Sequence, residues 1–137
     1  MSVTDLDFRE RISAKAFRGF VKLAELWRLP TDEQIDLLGA SLSQGTLTDW
    51  VSGATRFVLT EDQLMRVSLL LGIYEGLERI WRHASAEADA WIRRPRGDGP
   101  FGGTTPLDFM RMGGIPAFVA TRAYVDGISG GPPSRTG

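Results

Sequence analysis

The segment at residues 97–118, GDGPFGGTTPLDFMRMGGIPAF, contains the spacing G-x-G-x-x-G at Gly97, Gly99 and Gly102. Such glycines cradle the phosphates of a dinucleotide when they follow a β-strand and open a helix within a βαβ unit. Here a helical pattern precedes them, Pro100 interrupts them, and no Gly-Lys-Ser/Thr follows. The sequence therefore predicts no nucleotide site, and we expect these glycines to shape turns and helix ends.

The other side chains with catalytic or metal-binding chemistry are few. His83 is the single histidine and the chain has no cysteine, so thiolate chemistry and disulfides are excluded and no metal site is predicted. No G-x-S-x-G nucleophile elbow accompanies the histidine. The acidic pairs at residues 32–33 and 61–62 stand where helices are expected to begin, and carboxylates are favourable at that end of a helix. We expect a protein that is not an enzyme and has no cofactor.

Length, composition and charge restrict the class of protein. With 137 residues, of which 42% are hydrophobic, the chain can fold around a core of its own without disulfides. A net charge of -1 argues against a general nucleic-acid binder, although a local basic face remains open. No apolar run approaches the roughly 18 residues of a membrane span, and the acidic N-terminus lacks an apolar signal core. We predict a cytoplasmic protein without membrane association.

Hydrophobic periodicity predicts helices and no strand, so the expected fold class is all-α. The first helix is expected over residues 8–29. Its inward positions are Ile12, Ala16, Phe20, Leu23 and Trp27. Its basic positions, Arg11, Lys15, Arg18 and Lys22, form one stripe along the helix. Both a solvated face and a surface for phosphates or acids stay open as interpretations of that stripe.

Two short helices are expected next. Pro30 ends the first helix, and Thr31 with Gln34 predicts a capping box for a second helix that ends at Gly39. A third helix over residues 44–52 follows a polar turn. Its expected inward side chains are Leu47, Trp50 and Val51. The pair has the order of a helix-turn-helix motif.

A helix-turn-helix of this kind would bind DNA through its second helix. The candidates for reading base edges are Gln44, Thr46 and Thr48. Phosphate contacts would come from Arg56 or Lys15. However, residues 39–53 contain no Lys or Arg, and Asp49 would repel phosphates. The turn is also about two residues longer than the usual spacing, so DNA binding stays an open alternative.

A central helix is predicted to begin at a second capping box, formed by Thr60 and Gln63. It continues through the apolar pattern to Trp81. Gly72 and Gly76 are four residues apart on this helix. Each is about 1 kcal/mol less favourable there than alanine, so the pair predicts the close approach of another helix.

Three shorter helices are expected in the remaining chain. The first covers residues 86–93, the second begins at Pro106 with Thr105 as its cap, and the third covers residues 116–125. Gly127 is expected to end the last helix. The tail GGPPSRTG, residues 130–137, is expected to be irregular.

The succession LTEDQLMRVSLLLGIYEGLERIW, ADAWIRRP and FGGTTPLDFMRMGG, followed by a last short helix, resembles the Xre/MbcA/ParS-type antitoxins of RES–Xre type II toxin–antitoxin systems. The likeness covers most of the chain. Its most specific positions are Trp91, residues 93–95, Phe101, Gly102, residues 106–108 and residues 113–114. The resemblance implies an Xre-type, helix-turn-helix-like domain over residues 1–78. A small helical toxin-binding domain with a flexible tail would then cover residues 79–137.

The same resemblance implies a cytoplasmic bacterial antitoxin. It would bind a cognate RES-domain toxin, which destroys NAD or transfers ADP-ribose from it, and would cover the toxin's active-site cleft. It also implies a homodimer and, in many members, repression of the operon through operator DNA. The candidate toxin contacts are Arg93, Arg94, Phe101, Asp108, Arg111, Arg122, Tyr124 and Arg135; for Phe101, packing in the core is the alternative. A stand-alone helix-turn-helix transcription regulator is the alternative function.

Overall fold

A computed structural model of the chain describes residues 3–39 and 41–128. These residues form seven α-helices and one 3-10 helix, with no strand among them, which confirms the predicted all-α class. The helices are α1 (Val3–Leu26), α2 (Thr31–Leu38), α3 (Gln44–Ser52), α4 (Glu61–Ile80), α5 (Ser85–Ala90), the 3-10 helix (Trp91–Arg93), α6 (Pro106–Gly113) and α7 (Ile115–Ile128). None of the helices in these two ranges combines the length and the apolar character that crossing a membrane requires.

The chain divides into two compact units, Met1–Ser68 and Leu69–Gly137. This division lies within α4 and comes earlier than the expected domain boundary between residues 78 and 79. The later turns of α4 belong to the second unit because they pack against α7. A Cβ atom added to Gly76 would lie 2.6 Å from Cγ1 of Val125.

Helix α1 begins before the predicted residue 8 and ends at Leu26. Phe20 and Leu23 are buried as expected, whereas Ile12 is exposed, so its predicted inward position is wrong. Ser13 is buried in its place because its hydroxyl accepts a hydrogen bond from the Leu59 amide at 2.8 Å. The buried side of α1 therefore includes a polar residue that hydrophobic periodicity does not identify. The four side chains of the basic stripe are all exposed.

The start of α2 differs from its prediction. Thr31 is already helical, Pro30 occupies the N-cap position, and no side chain caps this end. Gln34 donates its side-chain amide to the Leu29 carbonyl at 2.8 Å, which is why it does not complete a capping box with Thr31. The predicted capping box at this helix is therefore wrong.

The capping box at the start of α4 is confirmed. The backbone amide of Gln63 donates to Oγ1 of Thr60 at 3.0 Å. In return, the Thr60 amide donates to Oε1 of Gln63, also at 3.0 Å. Two of the backbone amides that lack an intrahelical partner at this helix end are thus satisfied by side chains.

Helix α3 has the predicted bounds. The Ser43 hydroxyl accepts a hydrogen bond from the Thr46 amide, and Gly53 ends the helix with a left-handed φ of 80°. Leu47 is buried as predicted, but Val51 is 55% exposed, so its inward position is wrong. The apolar face of α3 rotates away from Val51 because Trp50 packs on aromatic rings outside the helix.

The second unit contains the three shorter helices. The predicted helix over residues 86–93 is split into α5 and the 3-10 helix. Helix α6 packs against both the 3-10 helix and α7. The predicted end of the last helix is wrong, because Gly127 keeps right-handed backbone and α7 continues through it to Ile128. The tail that is predicted to be irregular, residues 130–137, lies outside the described residues.

Candidate functional site

The glycine-rich segment between the 3-10 helix and α6 forms a closed loop. The Arg96 amide donates to the Thr104 carbonyl at 3.1 Å, and the Gly103 amide donates to the Arg96 carbonyl at 2.7 Å. Gly102 and Gly103 have φ angles of 61° and 92°, which glycine adopts without a steric penalty. Helical elements flank this loop on both sides. It therefore lacks the strand that a dinucleotide-binding βαβ unit requires.

An aromatic cluster connects this loop to α6 and α7. The Phe101 ring lies edge-on to Trp91, Phe109 and Tyr124, with centroid distances of 5.8, 5.4 and 5.4 Å. The Arg96 guanidinium lies 5.0 Å from the centre of the Trp91 ring, within cation–π range. Phe101 is only 3% exposed. Its proposed role as a toxin contact does not fit this burial, and packing in the core accounts for its position.

Tyr124 holds the loop through a hydrogen bond. Its hydroxyl donates to Oδ2 of Asp98, and Nε of Arg96 lies 3.5 Å from Oδ1 of the same carboxylate. The hydrogen bond lowers the pKa of Asp98 below its usual value and raises the pKa of Tyr124 above its own. Gly99 has a φ of 63°, and a Cβ atom there would lie 2.7 Å from the Tyr124 ring. Only a glycine lets the loop approach this ring so closely.

Helix α6 begins with the predicted cap. The Thr105 hydroxyl accepts a hydrogen bond from the Asp108 amide at 3.0 Å, and Pro106 occupies the first turn. Nη1 of Arg111 lies 3.4 Å from Oδ1 of Asp108, so these two predicted contacts form an ion pair on one side of the helix. The adjacent Met112 is 76% exposed, the highest exposure among the exposed large hydrophobic residues of the described chain.

The close approach predicted from the two glycines of α4 is confirmed, and the approaching helix is α7. A Cβ atom at Gly72 would lie 2.5 Å from Cζ of Arg122. The Arg122 guanidinium is held across this glycine by Asp126, whose Oδ2 lies 3.6 Å from its Nε. Arg122, a predicted toxin contact, thus occupies the space that a side chain at Gly72 would fill.

The remaining predicted toxin contacts lie near the 3-10 helix or outside the described residues. Arg93 and Arg94 are both exposed. Nη1 of Arg94 lies 2.9 Å from Oε1 of Glu87 on α5. Arg135 lies outside the described residues. The second unit therefore has arginines of the 3-10 helix, α6 and α7 on its surface.

The predicted DNA-binding side chains lie in the first unit. Gln44 and Thr48 are exposed on α3, and α3 packs against α2. The Thr46 hydroxyl is engaged at the helix start, where it accepts a hydrogen bond from the Ser43 hydroxyl at 3.0 Å. Five positions, 39–43, separate the end of α2 from the start of α3, whereas turns of about three to four residues are common in helix-turn-helix motifs.

The two basic candidates for phosphate contacts come from other elements. Lys15 is exposed on α1. The Arg56 side chain, which follows α3, is 85% exposed, and its Nη1 lies 3.5 Å from Oε1 of Glu10. The candidate phosphate contacts thus come from different elements than the candidate base contacts, and one of them already has an acidic partner.

His83 is exposed just after α4. Across residues 3–39 and 41–128, no group of three or more metal-ligating side chains comes together.

Two features of the second unit were not identified from the sequence. The first is the role of Asp98, which the local sequence does not indicate because its hydrogen-bond partner, Tyr124, is 26 residues away. The second is the set of exposed apolar side chains, above all Met112 on α6 and Val119 on α7. The exposure of Met112 could have been predicted from its position. It is two residues from the buried Met110, and residues two apart on a helix point in different directions.

Comparison with known proteins gives one informative match. No family model matches the chain, and no solved structure matches it. Over 113 residues, which are 82% of this chain and 82% of the relative, it is 38% identical to the "Uncharacterized protein y4oB" of Sinorhizobium fredii (strain NBRC 101917 / NGR234). Identity at this level over most of both chains shows common descent, and the chain belongs to the family of y4oB.

Proposed function

We propose that this protein is an antitoxin that binds a RES-domain toxin with its second unit and covers the toxin's NAD-binding cleft. The inhibition comes from binding alone, without catalysis or a cofactor. The proposal includes a homodimer in the cytoplasm. It rests on the motif succession in the second half of the chain and on the surface of the helices that carry those motifs.

The observation that carries the proposal is the exposed face of α6. Met112 is 76% exposed, and the preceding residue, Arg111, pairs with Asp108. Val119 on α7, which packs against α6, is a second exposed apolar side chain. Exposed apolar residues with a charged rim are typical of protein–protein contact surfaces.

The loop before α6 supports the same proposal. It is closed by backbone hydrogen bonds between Arg96, Gly103 and Thr104, and Tyr124 binds its Asp98. A loop that is ordered before binding loses less conformational entropy when it contacts a partner. The loop therefore suits insertion into a cleft.

The test is co-expression with the proposed RES-domain toxin partner, followed by co-purification and a measurement of cellular NAD. We expect the two proteins to co-purify and NAD to be preserved. Met112→Asp should weaken binding by about 30-fold, the usual effect of losing a central contact of about 2 kcal/mol. Met65→Asp is the matched control, because Met65 is a 52% exposed methionine of the first unit.

Two results would contradict this proposal. One is a failure of the pair to associate while NAD loss continues. The other is a Met112→Asp variant that binds the toxin as tightly as Met65→Asp does. Light scattering of the purified protein tests the homodimer separately, because a monomer at micromolar concentration would remove that part of the proposal alone.

We propose DNA binding by the first unit as the second candidate function, because Gln44 and Thr48 are exposed on α3, which packs against α2. The absence of Lys and Arg from residues 39–53 means that phosphate contacts would depend on neighbouring elements. Arg56→Gln should then weaken binding to the upstream operator and lower the salt dependence by about one unit of slope. Arg82→Gln, an exposed arginine of the second unit, is the control. No binding to this DNA at low salt, with or without toxin, would argue against the function.

A further inference from the structure

The first unit contains a groove to which neither candidate function assigns a small-molecule ligand, although Arg56, a candidate phosphate contact, is part of its lining. It lies between α1, the end of α3 and the segment after α3, and its volume is about 390 Å³. Its lining includes three aromatic and three basic side chains: Phe17, Trp50, Phe57, Arg11, Arg18 and Arg56. Sites for small molecules commonly have about 300–1,000 Å³. The groove therefore has the size of a small-molecule site.

The floor of the groove is a set of packed rings. Trp50 and Phe57 are stacked, with centroids 4.5 Å apart and planes within 14°. Phe17 meets both rings edge-on, at 5.7 Å from Trp50 and 5.3 Å from Phe57. Phe17 is buried, whereas Trp50 and Phe57 remain half-buried. The stacked pair thus keeps part of its aromatic surface accessible, and such a surface binds a further planar ring in an offset or edge-on arrangement.

The charges at the rim leave one cation without an acidic partner. Arg11 pairs with Asp7, and Arg56 pairs with Glu10 at 3.5 Å. Within the described part of the chain, Arg18 makes no ion pair and no hydrogen bond through its side chain. The lining therefore has an excess of one positive charge, located on a guanidinium group. A guanidinium group binds a carboxylate through two parallel hydrogen bonds.

We propose that this groove binds a small aromatic monocarboxylate. The ring of the ligand lies on the Trp50–Phe57 pair, and its carboxylate accepts hydrogen bonds from Arg18. This combination explains why the rim carries three arginines and only two acids, and why half-buried aromatic rings line an open groove. The site is independent of the toxin-binding surface proposed for the second unit.

The test uses 2-naphthoate as the probe and the full chain as the protein. Titration calorimetry gives the affinity, and the indole N–H resonance of Trp50, assigned with Trp50→Phe, reports the location in nitrogen–proton NMR spectra. We expect 2-naphthoate to shift this resonance in a saturable manner. Two matched probes separate the contributions: 2-naphthamide has the ring without the charge, and acetate has the charge without the ring. Both should bind at least about tenfold more weakly, since each lacks one of the two contacts.

Arg18→Gln should weaken 2-naphthoate binding by about tenfold and leave 2-naphthamide binding unchanged. Lys15→Gln is the control, because Lys15 is an exposed base of the same helix that does not line the groove. The proposal is overturned if naphthoate and naphthamide bind equally, or if Arg18→Gln and Lys15→Gln have the same effect. It is equally overturned if saturation with naphthoate leaves the Trp50 resonance unmoved.

Discussion

Tyr124 and Asp98 share a hydrogen bond that makes the loop before α6 sensitive to pH. The bond lowers the pKa of the Asp98 carboxyl below 3.8 and raises the pKa of the Tyr124 hydroxyl above 10.0. A lowered carboxyl pKa contributes stability above the unfolded pKa, and that contribution is lost as the pH falls through the folded pKa. For Tyr124 the sign is reversed, so its contribution is present below pH 10.0 and is lost as the pH rises through the folded pKa. The loop is therefore most firmly held across the neutral range.

Replacing Tyr124 by phenylalanine should raise the pKa of Asp98 towards its usual value of 3.8, because the carboxylate then loses its hydrogen-bond donor. The difference in unfolding free energy between the wild type and this variant should shrink in acid. A carboxyl-detected NMR titration and urea unfolding at neutral and acidic pH measure the two effects. Tyr74→Phe is the control and should leave the Asp98 pKa unchanged. An unchanged Asp98 pKa in Tyr124→Phe would contradict the prediction.

The two glycines of α4 differ in what a side chain would meet. At Gly76 a Cβ atom would lie 2.6 Å from Cγ1 of Val125, and Val125 is fully buried. At Gly72 the nearest atoms belong to the guanidinium end of Arg122. That end is flexible and half-exposed, so it can move away. The same spacing pattern therefore contains one position with a strict requirement for glycine and one without.

Gly76→Ala should lower the unfolding free energy, because overpacking costs about 1–3 kcal/mol and exceeds the gain of about 1 kcal/mol in helix propensity. Gly72→Ala should be neutral or should raise the unfolding free energy by up to about 1 kcal/mol. Urea unfolding of both variants measures the difference. Equal effects of the two substitutions would show that the distances to Val125 and Arg122 do not govern the outcome.

At the scale of helices, Thr31, the first residue of α2, and Thr60, the residue before α4, have nearly the same sequence context but act differently. Thr60 and Gln63 satisfy each other's backbone amides, whereas Thr31 makes no capping bond. The difference arises from Gln34, whose side chain binds the Leu29 carbonyl. Leu29 itself is buried and its amide donates to the Ala24 carbonyl, so the end of α1 determines the start of α2.

Thr60→Ala should therefore lower the unfolding free energy by about 1 kcal/mol, the usual effect of removing a threonine cap. Thr31→Ala should change the unfolding free energy by less than about 0.5 kcal/mol, because it replaces an exposed side chain that makes no capping hydrogen bond. Chemical unfolding of the two variants provides the comparison. A loss at Thr31 as large as that at Thr60 would contradict the role assigned to Gln34.

These cases show which parts of the fold follow from local sequence. The cap at Thr105, the stop at Gly53 and the close approach at Gly76 depend on neighbouring residues or on a fixed helical spacing, and all were predicted. Burial of Ser13 and exposure of Val51 depend on partners from distant segments, so periodicity misplaced the inward positions of α1 and α3. The groove was not predicted for the same reason, because its aromatic floor combines α1, α3 and the segment after α3.

At the scale of the whole chain, α4 belongs to both compact units. Three of its fully buried residues, Leu70, Ile73 and Leu77, lie after the division at Ser68. A fragment that begins at residue 79 lacks all three, whereas a fragment that begins at residue 60 keeps them together with the helix cap. The choice of starting residue therefore determines whether the second unit retains its core.

We expect the fragment 60–137 to fold with a cooperative thermal transition and the fragment 79–137 to remain largely unfolded. Loss of a single buried leucine or isoleucine side chain costs about 2–5 kcal/mol, and stabilities of small domains are about 5–15 kcal/mol. Circular dichroism with thermal unfolding distinguishes the two fragments. A cooperative transition in the fragment 79–137 would show that the second unit does not need this part of α4.

The continuity of α4 also limits how genes of this family can recombine. Modules that are joined by a polar linker can be exchanged between related genes, because a crossover in the linker leaves both cores intact. Here a crossover between the two units falls inside a helix, and the residues on both of its sides carry buried side chains. A hybrid gene is expected to encode a folded protein only when all of α4 comes from one parent, with compatible partners from the other. We therefore expect the two halves of such a chain to be inherited together.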